Sequence, residues 1–264
     1  MAPNGARRQK SDHPALPVTP EELAREAAAA LEAGASMIHV HVRDGDGTHV
    51  LDAERYREAT RLIRAAVGDR MIVQITTEAV GRYGPLEQMA LVRDVRPEAV
   101  SIALRELAPD GAGDADFFAF LAWLRRERIL PQVILYSAEE VDRLAAMVRR
   151  GDVPFASLPV LYVLGRHAPP GRPDHLLPFL AAGADVFPDF TVCAFGREEA
   201  ACCACSTLLS GGARVGFENN VELPDGSLAP DNAALVRRVV DGLAPLGYAP
   251  ETAAAWRERG AASF

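Results

Sequence analysis

Residues 37–44 read Met-Ile-His-Val-His-Val-Arg-Asp. Two imidazoles sit one residue apart inside an apolar run. In an extended strand residues i and i+2 point to the same side, so His39 and His41 share one face and Val40 and Val42 the other. Two neighbouring imidazoles on one face can grip a single metal ion, and imidazole nitrogen is a common ligand of zinc. A catalytic zinc needs a third protein ligand and an open position. The stretch Arg-Val-Gly-Phe-Glu-Asn-Asn at 214–220 offers one. Read as a strand, it puts Arg214, Gly216 and Glu218 on a common face. An inward-facing carboxylate is costly unless it is paired or ligating. The expected Zn2+ ligands are therefore His39, His41 and Glu218. Asp44, just beyond the second histidine, is expected to orient a ligand imidazole.

Something must bring positions 39–41 and 218 together. Apolar, β-branched runs occur at 36–43, 71–78, 99–106, 131–137, 159–165, 190–196 and 214–219, with a possible stub of one more strand at 2–6. Between them lie helix-periodic stretches at 20–33, 53–67, 86–94, 115–127, 138–150, 174–182, 197–209 and 230–244. The strand starts recur at roughly 30-residue spacing, the length of one βα unit. Near-continuous apolar strands imply burial on both faces, hence a parallel sheet under helices. The first helix has legible ends: Thr19-Pro20-Glu21-Glu22 is a capping box with proline at the first helical turn, and Gly34 supplies the stop. Ser137 is expected to cap the helix that opens at Ala138. With no shift in composition along the chain, the pattern predicts a single (β/α)8 barrel, a TIM barrel, over 1–264, with an extra terminal helix at about 249–260. No GxGxxG follows the first strand, which argues against a doubly wound dinucleotide fold.

Composition narrows the function. The formal net charge is −8, which argues against a nucleic-acid partner. No apolar stretch reaches membrane-spanning length and the N-terminus lacks a secretory apolar core, so a cytoplasmic protein is expected. The four cysteines read as small buried hydrophobes in a reducing compartment.

Active sites of this barrel sit at the C-terminal ends of the strands, built from several of them. Polar groups fall at those ends: Thr76, Thr77 and Glu78; Arg105 and Glu106; Tyr136; Arg166 and His167; Arg197.

The stretches 34–64, 73–81 (Val-Gln-Ile-Thr-Thr-Glu-Ala-Val-Gly), 163–166 and 211–220 (Gly-Gly-Ala-Arg-Val-Gly-Phe-Glu-Asn-Asn) together resemble the β-keto acid cleavage enzymes, and the likeness runs from about residue 2 to about 247. The resemblance implies a zinc-dependent barrel, usually a homotetramer. Such enzymes take a β-keto acid and acetyl-CoA and release acetoacetate and a new acyl-CoA. By motif position the zinc ligands are again His39, His41 and Glu218. Thr76 would meet the substrate carboxylate, with Thr77 and Arg166 beside it, and Arg214 would belong to the catalytic cluster. Two positions depart from the family pattern. Asn219 stands where an Asp follows the zinc-binding Glu, and Gln132 where a Glu pairs with the Arg. An amide cannot serve as a general base near neutral pH. The expected substitutes are Glu106, then Glu78, then Asp44, with Asn219 kept in the catalytic cluster and Gln132 among the substrate-binding residues. Two alternatives remain open at this point: a zinc-dependent keto-acid aldolase or hydrolase without CoA, and a non-catalytic metal-binding barrel.

Overall fold

The computed structural model describes residues 1–109, 113–166 and 169–264. Seven parallel strands follow one another in chain order: β1 Met37–Val40, β2 Ile72–Thr76, β3 Ala99–Ala103, β4 Leu130–Leu135, β5 Val160–Leu164, β6 Phe190–Ala194 and β7 Gly212–Ala213. Helix α1 (Pro20–Glu32) precedes β1, and α2 (Ala53–Val67) and α3 (Pro85–Val95) follow β1 and β2. A short α4 (Leu104–Leu107) and a longer α5 (Asp114–Glu127) lie after β3. Then come α6 (Ala138–Arg149), α7 (Leu177–Gly183), α8 (Glu199–Leu208) and α9 (Asn232–Leu243). Residues of β2 to β6 are buried throughout, as a sheet covered by helices and filled inside requires. Thr19 and Glu22 form the expected capping box, and Ser137 accepts from the Glu140 amide.

The edges of the sheet are joined by residues 1–2. The His39 amide donates to the Met1 carbonyl (2.8 Å), the Ala2 amide to Val215 (2.8 Å) and the Glu218 amide to Ala2 (3.1 Å). Met1 and Ala2 thus stand in the eighth place of a (β/α)8 barrel. The strand-like bonding falls at 1–2 rather than along 2–6, because the chain turns away from Asn4 onward. Between the starts of β1 and β7 a cavity of about 510 Å³ opens on the N-terminal face and reaches inward to Gln132 and Arg214. Helix α10 (Ala253–Ser263) lies on the same face, where Ala253 and Trp256 pack with Ile72, Ala99 and Leu130.

Several strands end earlier than their apolar runs. β1 stops at Val40, so His41 already lies on the loop. β3 stops at Ala103, and Arg105 and Glu106 belong to α4 rather than to a strand end. β7 is only two residues long, and Glu218 sits in a turn beyond it. That turn needs Gly216, whose φ is 143°. A Cβ there would stand 2.2 Å from the Ala2 carbonyl oxygen.

Candidate active site and metal centre

His39 and His41 reach one point from β1 and the loop after it, both almost fully buried. Their Nε2 atoms lie 3.0 Å apart. Glu218 Oε2 comes within 3.5 Å of His39 Nε2 and 3.3 Å of His41 Nε2. Donors held about 2.0–2.2 Å from a tetrahedral ion stand roughly 3.3–3.6 Å apart, so this triangle has the size of one face of such a site. The Glu218 Oε2 atom is buried without a hydrogen-bond partner. Two imidazole nitrogens and a carboxylate oxygen, converging in this way, suit a divalent metal. Among the described residues, these three form the group able to hold one.

The parts of the triad are individually tuned. His39 Nδ1 donates to Gln74 Oε1 (2.8 Å), which leaves the lone pair on Nε2, the nitrogen facing the site. Gln74 Nε2 in turn donates to Gln132 Oε1 (3.2 Å). Burial holds the His39 imidazole well below its ordinary pKa, so it is neutral and able to ligate. Burial opposes the charge on Glu218, but the Arg214 guanidinium beside it outweighs burial and holds the carboxyl well below the usual carboxylate range. Arg214 Nη2 donates to Glu218 Oε1 (2.9 Å), while its buried Nε and Nη1 have no partner. Two donor nitrogens of a fixed cation therefore stay free for an anion.

A cleft above the triad is lined by Thr76, Ser101, Tyr136, Arg166 and two carboxylates, Glu78 and Glu106. Glu106 Oε2 accepts from the Ala79 amide (3.1 Å) and from Gln88 Nε2 (2.7 Å), and so ties α4 to α3 and the preceding loop. Burial raises its pKa. Glu78 makes no such backbone link through its carboxylate. Its Oε1 takes Arg166 Nη2 (3.1 Å), and its Oε2 faces His41 Nδ1 across 3.9 Å. Thr76 Oγ1 accepts from the Glu78 amide (3.1 Å), and Thr77 Oγ1 donates to the Ser101 carbonyl (3.2 Å). The loop after residue 4 covers this mouth, with Arg8 Nη2 reaching the Asn219 carbonyl (3.5 Å). Both side-chain atoms of Asn219 are buried without a partner.

Two expectations change in the structure. Asp44 does not orient a histidine. Its Oδ1 accepts from the Asp46 and Thr48 amides (3.0 and 2.9 Å) and closes a turn. Gln74 does the orienting instead. Gln132 touches that glutamine, so it reaches the triad through Gln74. Sequence reasoning also passed over Ser101, an inward-facing strand residue whose buried hydroxyl has no partner. It missed His49, whose ring nitrogens lie 3.3 and 3.2 Å from the Val42 and Glu78 carbonyls. The alternation of small polar and apolar residues in Val-Ser-Ile-Ala was the available signal for Ser101. His167 lies outside the described residues.

Fold and site together define a (β/α)8 barrel with a His-His-Glu triad at the C-terminal mouth that could hold a metal ion. The chain belongs to the β-keto acid cleavage enzyme family, whose model matches residues 1–260. It is 32% identical over 246 residues to the 3-keto-5-aminohexanoate cleavage enzyme of Fusobacterium nucleatum, covering 89% of this chain and 87% of that one. It is 30% identical over 248 residues to the 3-oxoadipate:acetyl-CoA acetyltransferase of Cupriavidus necator, covering 90% and 85%. Among solved structures it resembles ObcA in ternary complex with a C4-CoA adduct and oxalate, with a TM-score of 0.76, 20% identity, and coverage of 94% and 68%. That last likeness speaks for the fold. No helix among the described residues is long and apolar enough to cross a membrane.

Proposed function

We propose that this enzyme takes a β-keto acid and acetyl-CoA and releases acetoacetate and a new acyl-CoA, with zinc held by His39, His41 and Glu218. The observation that carries the reading is the triangle of buried donor atoms, 3.0–3.5 Å on a side, beside an arginine with unused donors. The activities of the Fusobacterium and Cupriavidus relatives support it. Bound there, zinc would supply Lewis-acid polarisation of a ketone.

The chain's own residues do the rest. Arg214 Nε and Nη1 take the substrate carboxylate, with Thr76 and the Ser101 hydroxyl beside it. The C2 proton of the keto acid is acidified by its neighbouring carbonyl and goes to a carboxylate. We assign that proton to Glu78 rather than to Glu106, because the Glu106 oxygen is already engaged in joining elements. Asn219, an amide, takes no proton. The carbanion attacks the acetyl thioester and expels the CoA thiolate. The thiolate attacks the original ketone, the C2–C3 bond breaks, and the electron pair leaves with the acetoacetate carbon, which regains the proton from Glu78. Atoms and charge balance without an oxidant. Arg166, stacked 5.2 Å over Tyr136 and paired with Glu78, sits where the variable end of the keto acid or the thioester arm would pass. Location in the cytoplasm and assembly as a homotetramer belong to the same reading, and the tetramer rests on the family resemblance.

The test is product analysis with a panel of β-keto acids, with and without acetyl-CoA, on metal-loaded and chelated enzyme. Acetoacetate and acyl-CoA should form in equal amounts only when both acetyl-CoA and metal are present. Keto-acid cleavage that proceeds without acetyl-CoA would replace this reading with the aldolase or hydrolase one.

A further inference from the structure

Glu218 is the ligand with the least intrinsic support. The histidines stand on or next to a strand, whereas Glu218 sits in the middle of a turn past a two-residue strand. Turns of that kind drift unless something outside them fixes their backbone. Here two fully buried polar side chains do so, one from each of two outer helices. Glu199 opens α8 and is 1% exposed; Asn232 opens α9 and is 0% exposed. Glu199 Oε1 accepts from the Gly216 amide (3.0 Å) and Oε2 from Asn220 Nδ2 (3.3 Å). Asn232 Oδ1 accepts from the Phe217 amide (2.8 Å). Asn232 is itself anchored, because its Nδ2 donates to Glu26 Oε2 (2.8 Å) and to the Pro3 carbonyl (3.3 Å). The Glu218 amide goes to Ala2. Thus three consecutive amides, at 216, 217 and 218, each have a fixed acceptor, and two of those acceptors are side chains. Burying a carboxylate is expensive, and both hydrogen bonds of the Glu199 carboxylate go to the stretch 216–220 that carries Glu218.

We propose that Glu199 and Asn232 are positioning residues that set the height and direction of Glu218, so that its Oε2 meets the two imidazoles while its Oε1 meets Arg214. The proposal deepens the metal reading above and rests on it. Neither residue touches substrate. They act through the turn, from the helix layer outside the barrel. Glu199→Gln replaces one acceptor by an NH2 group facing a donor, either the Gly216 amide or Asn220 Nδ2. The turn then loses one bond and gains a repulsive contact without a change in volume.

The experiment compares wild type, Glu199→Gln and Glu218→Gln as full-length protein stripped of metal. Zinc affinity is read by competition with a chromophoric chelator, and the ligand set by the visible spectrum after loading with cobalt(II). Glu199→Gln should weaken zinc about 10–100-fold, the range typical of residues that orient ligands. Its cobalt spectrum should move from the wild-type form toward that of Glu218→Gln. Zinc affinity within twofold of wild type together with an unchanged cobalt spectrum would overturn the proposal. A second measurement needs no variant. If the side chains hold the turn in advance, the Gly216 and Phe217 amides resist hydrogen exchange in metal-free wild type. Free exchange of both until zinc is added would mean that the metal organises the turn, and the proposal would fail. A wild type that binds no zinc would strike the metal reading instead, and the exchange measurement would still decide the positioning role.

Discussion

At the scale of single residues the site depends on which polar atoms are already committed. His39 faces the triad with Nε2 because Gln74 holds its Nδ1, and Gln74 is held by Gln132. Arg214 keeps two donors in reserve. Of the two carboxylates in the cleft, Glu78 has an oxygen directed at His41, whereas Glu106 spends one on two donors from the neighbouring loop and helix. Proton transfer by a placed base contributes roughly 10²–10⁴-fold. Glu78→Gln should therefore lower kcat at least about tenfold while keeping a full equivalent of metal, as steady-state kinetics and elemental analysis would show. Glu106→Gln should leave kcat within about threefold, well inside the effect of losing a base. The reverse ranking would return the proton to Glu106.

Among the elements, the short helix α4 decides what Glu106 is for. It turns the chain aside after Ala103 and directs Glu106 toward Ala79 and Gln88, where burial raises its pKa above the ordinary 4.5. Between 4.5 and that raised value the folded protein keeps the proton and the unfolded chain has lost it. Stability attributable to Glu106 is then fully present below pH 4.5 and declines as pH rises through the folded pKa, with a limiting slope of about 1.4 kcal/mol per pH unit. Glutamine keeps an oxygen acceptor and cannot ionise. The melting temperature of Glu106→Gln minus that of wild type should become more positive as pH rises from 4.5 to 8. A difference independent of pH would show that the carboxyl group is not carrying a proton into the fold.

For the whole molecule the notable feature is how the barrel closes. The edges of the sheet meet through Met1 and Ala2. The triad spans the same seam, because His39 and His41 come from the β1 side and Glu218 from beyond β7. A metal bound there would tie the seam together and favour the folded state by mass action. Zinc at about 100 times its Kd adds about 2.7 kcal/mol. For a chain somewhat above 250 residues this corresponds to a rise in Tm of about 5 °C. Thermal melts with zinc and with chelator should show that gap in wild type and lose it in His39→Ala. An equal gap in both would place the stabilising metal elsewhere.

Alternation alone determined that His39 and His41 share a face, and the spacing of apolar runs determined a barrel of βα units. Those are local properties, set by strand periodicity and by the length of a crossover. Glu218 was legible as a residue but not as a geometry. It reaches the histidines from a turn that Gly216 permits, not from strand alternation. Asp44, expected to orient a ligand imidazole, closes a turn instead, since proximity in sequence is a poor guide between strands. Only the parallel register, which sets Gln74 beside His39, puts that side chain within reach. The same holds for Glu199 and Asn232, which lie 19 residues before and 14 after Glu218 and meet its turn only once α8 and α9 dock. Local chemistry thus supplied the candidate ligands. Which of their atoms are free, which are held, and which carboxylate has an uncommitted oxygen were decided by packing, because hydrogen bonds between elements exist only after the elements have met.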